Sequence, residues 1–220
     1  MTCIIQARMG SSRFPNKNMA DIEGKPMLTR VLDRVKISES LTKIVVATTT
    51  NEEDDVIAEL AEKEGVEVFR GASEDVLDRY YECATQLEAH TIVRVCSDCP
   101  LIDPEVIDTA FLFFLYGEYD YVSNRPSYPD GFDVEVFKYS VLQTAWWKSR
   151  AKGGREHVTG YIQKHPEKFK IGRVILDVEL NKKYSVDTPE DLERVREVYR
   201  VLGEYSTLGD LFSWREFEPD

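Results

Sequence analysis

Thr2-Cys3-Ile4-Ile5-Gln6-Ala7 runs directly into Arg8-Met9-Gly10-Ser11-Ser12-Arg13-Phe14-Pro15-Asn16-Lys17. The first six residues are short, apolar and β-branched, the pattern of a strand covered on both faces in a parallel sheet. The next ten form a polar loop with one glycine, two hydroxyls and three cations. Such a loop at the end of a buried strand suits a triphosphate. Gly10 permits close backbone approach, Ser11 and Ser12 donate to phosphate oxygens, and Arg8, Arg13 and Lys17 stabilise charge developing on a leaving pyrophosphate. Neither G-x-G-x-x-G nor G-x-x-x-x-G-K-[ST] occurs here, so a dinucleotide or P-loop reading has no support. The competing reading is a solvated turn whose cations pair with Asp21 and Glu23.

Outward from this stretch, strand and helix alternate. Pro26 is expected to open a helix at its first position, with Met27, Leu28, Val31, Leu32 and Val35 along one face. A strand is expected over 43–49. Asn51 then caps an acidic helix with Val56, Ile57, Leu60 and Ala61 as its buried stripe, ended by Gly65. A strand over 66–69, a helix capped by Ser73 and carrying Val76, Leu77, Tyr80 and Cys83, and a strand over 91–96 complete the regular half. This alternation predicts an α/β fold, a mostly parallel sheet with helices on both faces and a ligand site at the carboxyl ends of the strands. Asp103-Pro104 then begins an apolar helix. The second half is less regular, with strands expected over 119–123, 132–137 and 169–176, a helix over 140–148, a break at Gly153-Gly154, and a helix after Thr188-Pro189. One domain is expected to cover 1–220, divided into a regular half with the basic loop (1–118), an irregular region (119–180) and a segment with Asp187 and C-terminal helices (181–220).

Composition narrows the function classes. A chain of 220 residues that is 42% hydrophobic can build one core. Its net charge of -12 argues against a nucleic acid partner, which needs a basic surface. The basic loop set in this acidic chain points to a small anionic ligand instead. No apolar run is long enough to span a bilayer, and four cysteines without a signal peptide read as reduced thiols, so a cytoplasmic location is expected. Cys96 and Cys99 form a C-x-x-C, but Pro100 and Asp103 continue a loop where a redox motif needs a helix, so they read as packing thiols. No histidine stands at zinc-finger spacing from a cysteine.

Asp98 follows a central strand and Asp187 precedes a Pro-initiated helix. Two aspartates converging on a bound triphosphate would suffice for Mg²⁺, which takes a few carboxylates along with phosphate oxygens and water. Taken alone, Asp-Thr-Pro-Glu favours a helix-capping role for Asp187 over metal binding. Asp130, Asp133 and Glu135 surround a strand in the irregular half, and Arg155, Glu156 and His157 open a helix; these six are the expected acceptor contacts. The alternative for them is an exposed strand face and an ordinary helix start.

The motifs are similar to those of the SpsF-like cytidylyltransferases, relatives of the CMP-Kdo and acylneuraminate cytidylyltransferases. The likeness begins with Ile4-Ile5-Gln6-Ala7-Arg8-Met9-Gly10-Ser11-Ser12-Arg13, Pro15, Lys17 and Gly24-Lys25-Pro26. It continues through Ala47-Thr48-Thr49, Phe69-Arg70-Gly71, Asp75-Val76-Leu77-Asp78-Arg79-Tyr80-Tyr81 and Asp98-Cys99-Pro100-Leu101-Ile102-Asp103. It ends with Pro129-Asp130-Gly131-Phe132-Asp133-Val134-Glu135-Val136-Phe137, Arg155-Glu156-His157-Val158-Thr159 and Val186-Asp187-Thr188-Pro189-Glu190-Asp191-Leu192. Ser12, Phe14, Asn16 and Ser97 stand where the group commonly has Thr, Leu, Gly and Gly; Asn at 16 tolerates a left-handed backbone.

The resemblance implies a GT-A-like nucleotidyltransferase fold, CTP as donor, Mg²⁺ held by Asp98 and Asp187, a homodimer, and CMP transfer to a small anionic acceptor with pyrophosphate release, in surface polysaccharide or glycoconjugate synthesis. It implies Arg8, Lys17 and Asp98 as catalytic residues. The implied nucleotide contacts are Ala7, Arg8, Gly10, Ser11, Ser12, Arg13, Lys17, Thr49, Arg70, Arg79 and Asp98. A same-fold enzyme using another nucleotide, or a glycosyltransferase, is the nearest alternative, although a diphosphosugar has less need of three cations. A catalytically silent nucleotide-binding protein is the other, and Arg8, Lys17 and Asp98 are all retained.

Overall fold

The computed structural model describes residues 1–149, 155–176 and 183–215; Gly153 and Gly154, expected to break the chain, lie outside them. In chain order the elements are β1 (Thr2–Gln6), a small hairpin of β2 (Asp21–Ile22) and β3 (Lys25–Pro26), α1 (Met27–Val35), β4 (Lys43–Thr49), α2 (Asp55–Lys63), β5 (Glu67–Gly71), α3 (Val76–Gln86) and β6 (Thr91–Cys96). There follow α4 (Pro104–Tyr116), β7 (Tyr121–Ser123), β8 (Glu135–Lys138), α5 (Tyr139–Lys148), α6 (Gly160–Lys164), β9 (Ile171–Arg173), α7 (Pro189–Leu202) and α8 (Leu208–Arg215).

Seven strands form one sheet in the order β5-β4-β1-β6-β8-β7-β9. β8 runs antiparallel to both its neighbours and the remaining pairs are parallel. β1 lies between β4 and β6, as its apolar composition requires. Ile4 and Ile5 are both 0% exposed and face opposite layers. Ile5 joins Cys3 in a core built with α1, α2, α4, α7 and α8, while Ile4 joins residues of α3, α5 and α6. The sheet is thus mostly parallel with helices on both faces, as expected. Truncating either isoleucine to Ala would cost roughly 2–5 kcal/mol, because neither layer can collapse into the space left.

Several local expectations are corrected. Pro26 is not the first helical residue; it is extended, pairs with Asp21 in the hairpin, and α1 starts at Met27. Asn51 does not cap through its side chain, which instead donates to Ser73 Oγ at 3.1 Å. The α3 cap is not Ser73 but Asp75, which accepts from the Asp78 amide at 2.8 Å. Val56 lies exposed, and Ala58 takes its place among the buried residues of α2. Asp187 does not cap α7: Thr188 does, in a capping box with Asp191.

The carboxyl edge of the parallel strands gathers the loops that matter. Ala7 donates to the Ala47 carbonyl at 3.3 Å and Ser97 to the Gln6 carbonyl at 3.4 Å, so the chain leaves β1, β4 and β6 side by side. The segment before α7 returns to this edge. Tyr184 and Ser185 donate to the Asp130 carbonyl at 2.6 and 3.1 Å, and Val186 donates to the Asp98 carbonyl at 2.8 Å. This crossing needs Gly131, at φ +108°, because a Cβ there would lie 2.5 Å from the Ser185 nitrogen.

Candidate active site

Asp98 and Asp187, far apart in sequence, meet at one cation. Lys17 Nζ donates to Asp98 Oδ2 at 2.9 Å, to Asp187 Oδ1 at 3.3 Å and to the Val186 carbonyl at 2.8 Å. The Lys17 side chain is buried, and a short 3₁₀ turn over Lys17–Met19, entered through left-handed Asn16 at φ 60°, aims it inward. Asn at that position adopts the conformation at little cost. Arg13 reaches Asp187 Oδ1 at 2.9 Å from an exposed position. Lys183 takes the other oxygen, Asp187 Oδ2, at 2.8 Å and also contacts Asp191 at 2.9 Å. Burial works against charge on Asp187, but Lys183 and Lys17 outweigh it and hold its carboxyl below the usual range. The cations at 13 and 17 therefore do not pair with Asp21 and Glu23 as in a solvated turn. Asp21 instead accepts from the Gly24 amide and Glu23 pairs with Arg200.

The loop after β1 is braced from outside itself. The Met9 amide donates to Asp54 Oδ1 at 2.6 Å, and the Thr49 hydroxyl donates to Asp54 Oδ2. Asn18, also buried, donates to the Arg8 carbonyl at 2.8 Å. Neither Asp54 nor Asn18 was expected from sequence. The only signal was a second Asn, just past the basic loop, and one more acid in a run of four. Within the loop, the Phe14 amide donates to Ser11 Oγ at 3.4 Å, and Gly10 lies beside Glu53, whose Oε1 would be 3.3 Å from an added Cβ. Ala7 is buried at the end of β1, and exposed Ser12 stands on the loop.

Thr49 is buried and committed to Asp54, so it acts on the loop rather than pointing into open space. Arg70 donates to the Thr49 and Asn51 carbonyls, both at 2.8 Å, and pairs with Asp55. Arg79 is buried, donates to the Ala72 carbonyl at 3.0 Å, and leaves Nε without a hydrogen-bond partner among the described residues. Burial pulls its pKa down, and the nearby Arg8 charge adds to that. Together Arg8 and Arg79 put like charges close together, an arrangement that a bound anion relieves.

A cavity of about 860 Å³ opens on the same edge, lined among others by Arg94, Tyr121, Arg125, Asp133, Glu135 and His157. Three of the expected acceptor residues, Asp133, Glu135 and His157, stand on it. Glu135 is buried, ion-paired to Arg94, and accepts from Tyr121 and from Thr159 at 2.7 Å. Burial raises its pKa, yet Arg94 and the hydroxyls outweigh this and hold it ionised below the ordinary range. Burial pushes Asp133 up to about 7, with neighbouring Asp130 adding to the effect and Arg125 opposing it. Arg155 lies elsewhere, paired with the α3 cap Asp75 and with Asp78 of α3, and stacked on Trp146. Glu156 is exposed beside it, and the Asp130 backbone carries the return crossing. Lys148, Lys164 and Arg173 also line the cavity, cations that sequence reading missed because they lie on three separate elements.

Asp98 and Asp187 fit a divalent cation. Two carboxylate oxygens already converge on a single positive atom, both are hard donors, and each keeps some solvent access. No group of three or more His, Cys, Asp or Glu able to hold a metal is found among the described residues. Two carboxylates on their own suit an ion that completes its shell with phosphate and water.

Residues 2–208 match the cytidylyltransferase family model. Spore coat polysaccharide biosynthesis protein SpsF of Bacillus subtilis is 31% identical over 211 residues, 91% of this chain and 87% of that protein. The 3-deoxy-manno-octulosonate cytidylyltransferase of Geobacter sulfurreducens is 42% identical over 112 residues, 50% of this chain and 43% of that enzyme. A solved structure of a cytidylyltransferase from Leptospira borgpetersenii superposes with a TM-score of 0.92 at 33% identity, covering 97% of this chain and 92% of the other.

Proposed function

Since the chain belongs to the cytidylyltransferase family and is a CTP-dependent nucleotidyltransferase, we propose that it moves CMP from CTP to a small anionic acceptor, a sugar acid or similar, and releases pyrophosphate. The observation that carries this reading is the meeting of Asp98 and Asp187 at Lys17 Nζ, 2.9 and 3.3 Å away, beneath a basic loop.

An acceptor oxygen attacks the α-phosphorus in line, and the pyrophosphate departs on the opposite side. In this reading Arg8, Arg13 and Lys17 hold the departing diphosphate, and Asp54 and Asn18 keep their loop in place beforehand. Asp98 and Asp187 would hold Mg²⁺, which when bound polarises the α-phosphate. Charge stabilisation and positioning suffice, so no covalent enzyme intermediate is required.

The acceptor belongs in the 860 Å³ cavity, whose lining includes Arg125, Lys148, Lys164 and Arg173. Those cations favour an acid. The kinship with a spore coat polysaccharide protein and with a 3-deoxy-manno-octulosonate cytidylyltransferase supports a role in surface polysaccharide or glycoconjugate precursor synthesis. A cytoplasmic homodimer completes the proposal. Among the described residues no helix is long and apolar enough to cross a membrane.

The test is pyrophosphate release from CTP with a panel of acidic sugars that includes 3-deoxy-manno-octulosonate. Asp98→Asn is expected to lose about 10²-fold or more in kcat while staying folded. Near-normal turnover by that variant would remove Asp98 from the chemistry.

A further inference from the structure

Lys17 stands where the proposed metal would have to act. Its Nζ bridges Asp98 Oδ2 and Asp187 Oδ1, at 2.9 and 3.3 Å. The remaining Asp187 oxygen is held by Lys183. The local charge is already more than balanced. Asp98, Asp187 and Asp191 contribute three carboxylates, against which Arg13, Lys17, Lys183 and Arg194 supply four cations within ion-pair distance. A free divalent cation entering this cluster would add two positive charges and would have to displace an ammonium that is itself buried. A metal–triphosphate is different, because it brings net negative charge and offers Lys17 and Arg13 new oxygen partners.

The backbone hydrogen bonds around the site do not involve the Lys17 ammonium. The Lys17 carbonyl is held by the Ala20 amide at 3.1 Å, and the two aspartate loops are joined by the Val186–Asp98 backbone bond at 2.8 Å. Turning the Lys17 side chain away breaks its contacts to Asp98, Asp187 and the Val186 carbonyl and none of these backbone bonds.

We infer that Lys17 is a placeholder cation: its ammonium holds the Asp98 and Asp187 carboxylates together in the nucleotide-free enzyme, keeps free divalent metal out, and releases the carboxylates only when a metal-bound nucleoside triphosphate offers it phosphate oxygens. Metal and nucleotide therefore enter as one unit, and Lys17 changes partner during each cycle. This rests on the metal assignment proposed above.

Manganous ion is the probe, its retention by the protein followed by equilibrium dialysis against the free ion and, separately, against the ion with CTP at equal concentration on both sides. Wild-type protein is expected to bind free Mn²⁺ poorly. Lys17→Met, and Lys17→Gln as a second variant in case the first folds badly, are expected to bind it at least about tenfold tighter without nucleotide. Adding Asp98→Asn to either should abolish the gain. Lys17 variants that bind free Mn²⁺ no tighter than wild type overturn the placeholder role. So does tight, nucleotide-independent binding by the wild-type protein, a result that needs no variant to fold. The metal assignment is read separately: Mn²⁺ taken up by wild type with CTP and lost in Asp98→Asn upholds it even where the placeholder fails. Binding with CTP that ignores Asp98 overturns both.

Discussion

The buried Asp54 carboxylate accepts from the Met9 amide at 2.6 Å, so a side chain from the turn after β4 sets the course of the loop after β1. Its second oxygen takes the Thr49 hydroxyl. Asp54→Ala should therefore cost about 1–3 kcal/mol, since a half-buried amide and a buried hydroxyl lose their acceptor together. It should also weaken CTP binding, because Met9 and Gly10 lose their support. Chemical unfolding and a CTP titration check the two effects. Stability lost with CTP affinity intact would make Asp54 a folding residue alone.

The Arg94–Glu135 pair gives a second prediction. Glu135 is buried on the ladder between β6 and β8, so Glu135→Ala leaves the Arg94 guanidinium without its counter-charge at a cost of about 3–5 kcal/mol. The pH dependence has a definite sign. The folded Glu135 pKa lies below its ordinary value, so its contribution is present above the unfolded pKa, near 4.3, and is lost as pH falls through the depressed folded value. Urea unfolding of wild type and variant between pH 3 and pH 6, a window set around that reference value, should show the gap narrowing as pH falls.

Asp133 has the opposite sign. Its carboxyl is pushed up to about 7 by burial, with Arg125, Asp130 and Glu135 as its charged neighbours. The folded form then holds a proton that the unfolded chain releases near 3.9, so Asp133 makes stability fall as pH rises from about 4 to about 7. Asp133→Asn should remove that decline, an effect on the order of a few kcal/mol. Parallel stability profiles for the two proteins would show that Asp133 is ionised throughout the range.

The thiols of the C-x-x-C should be inert. Burial raises Cys99 well above its ordinary range and Cys96 to about 12, and all four cysteines are free. Native protein treated with iodoacetamide at pH 8 should remain largely unmodified at both positions by mass spectrometry. Rapid alkylation at either would contradict the packing role.

The first half of the fold was legible because its strands are continuous β-branched runs, and helix stops such as Gly65, at φ 71°, mark the boundaries. The second half was harder to bound. The extended pattern over 132–137 continues past the paired residues of β8, because Asn124 substitutes for the ladder there. Its side chain donates to the Phe132 carbonyl at 2.7 Å and accepts from the Val134 amide at 2.9 Å. Extended backbone satisfied by a side chain looks in sequence like a strand. At the site, Lys17 and Asp98 could be singled out by residue type and by position after strands, whereas Asp187 could be singled out only through the resemblance of Val186-Asp187-Thr188-Pro189 to the family motif. Asp54 could not, because Glu52-Glu53-Asp54-Asp55 reads as the acidic start of a helix and only the tertiary fold turns one of the four inward. Arg155 follows a similar logic. Its charge suggested a ligand, whereas the fold brings it to Asp75, Asp78 and the Trp146 ring.

The most direct test of the central claim is thermal stabilisation by CTP, UTP, ATP and GTP, each with Mg²⁺ and each with EDTA, since it needs no knowledge of the acceptor. With nucleotide at about 100 times Kd, binding should contribute roughly 2.7 kcal/mol, a rise of roughly 5–10 °C for a domain of this size. The account predicts that shift for CTP with Mg²⁺, and its loss with EDTA. An equal or larger shift with another nucleotide, or none with CTP, would contradict it.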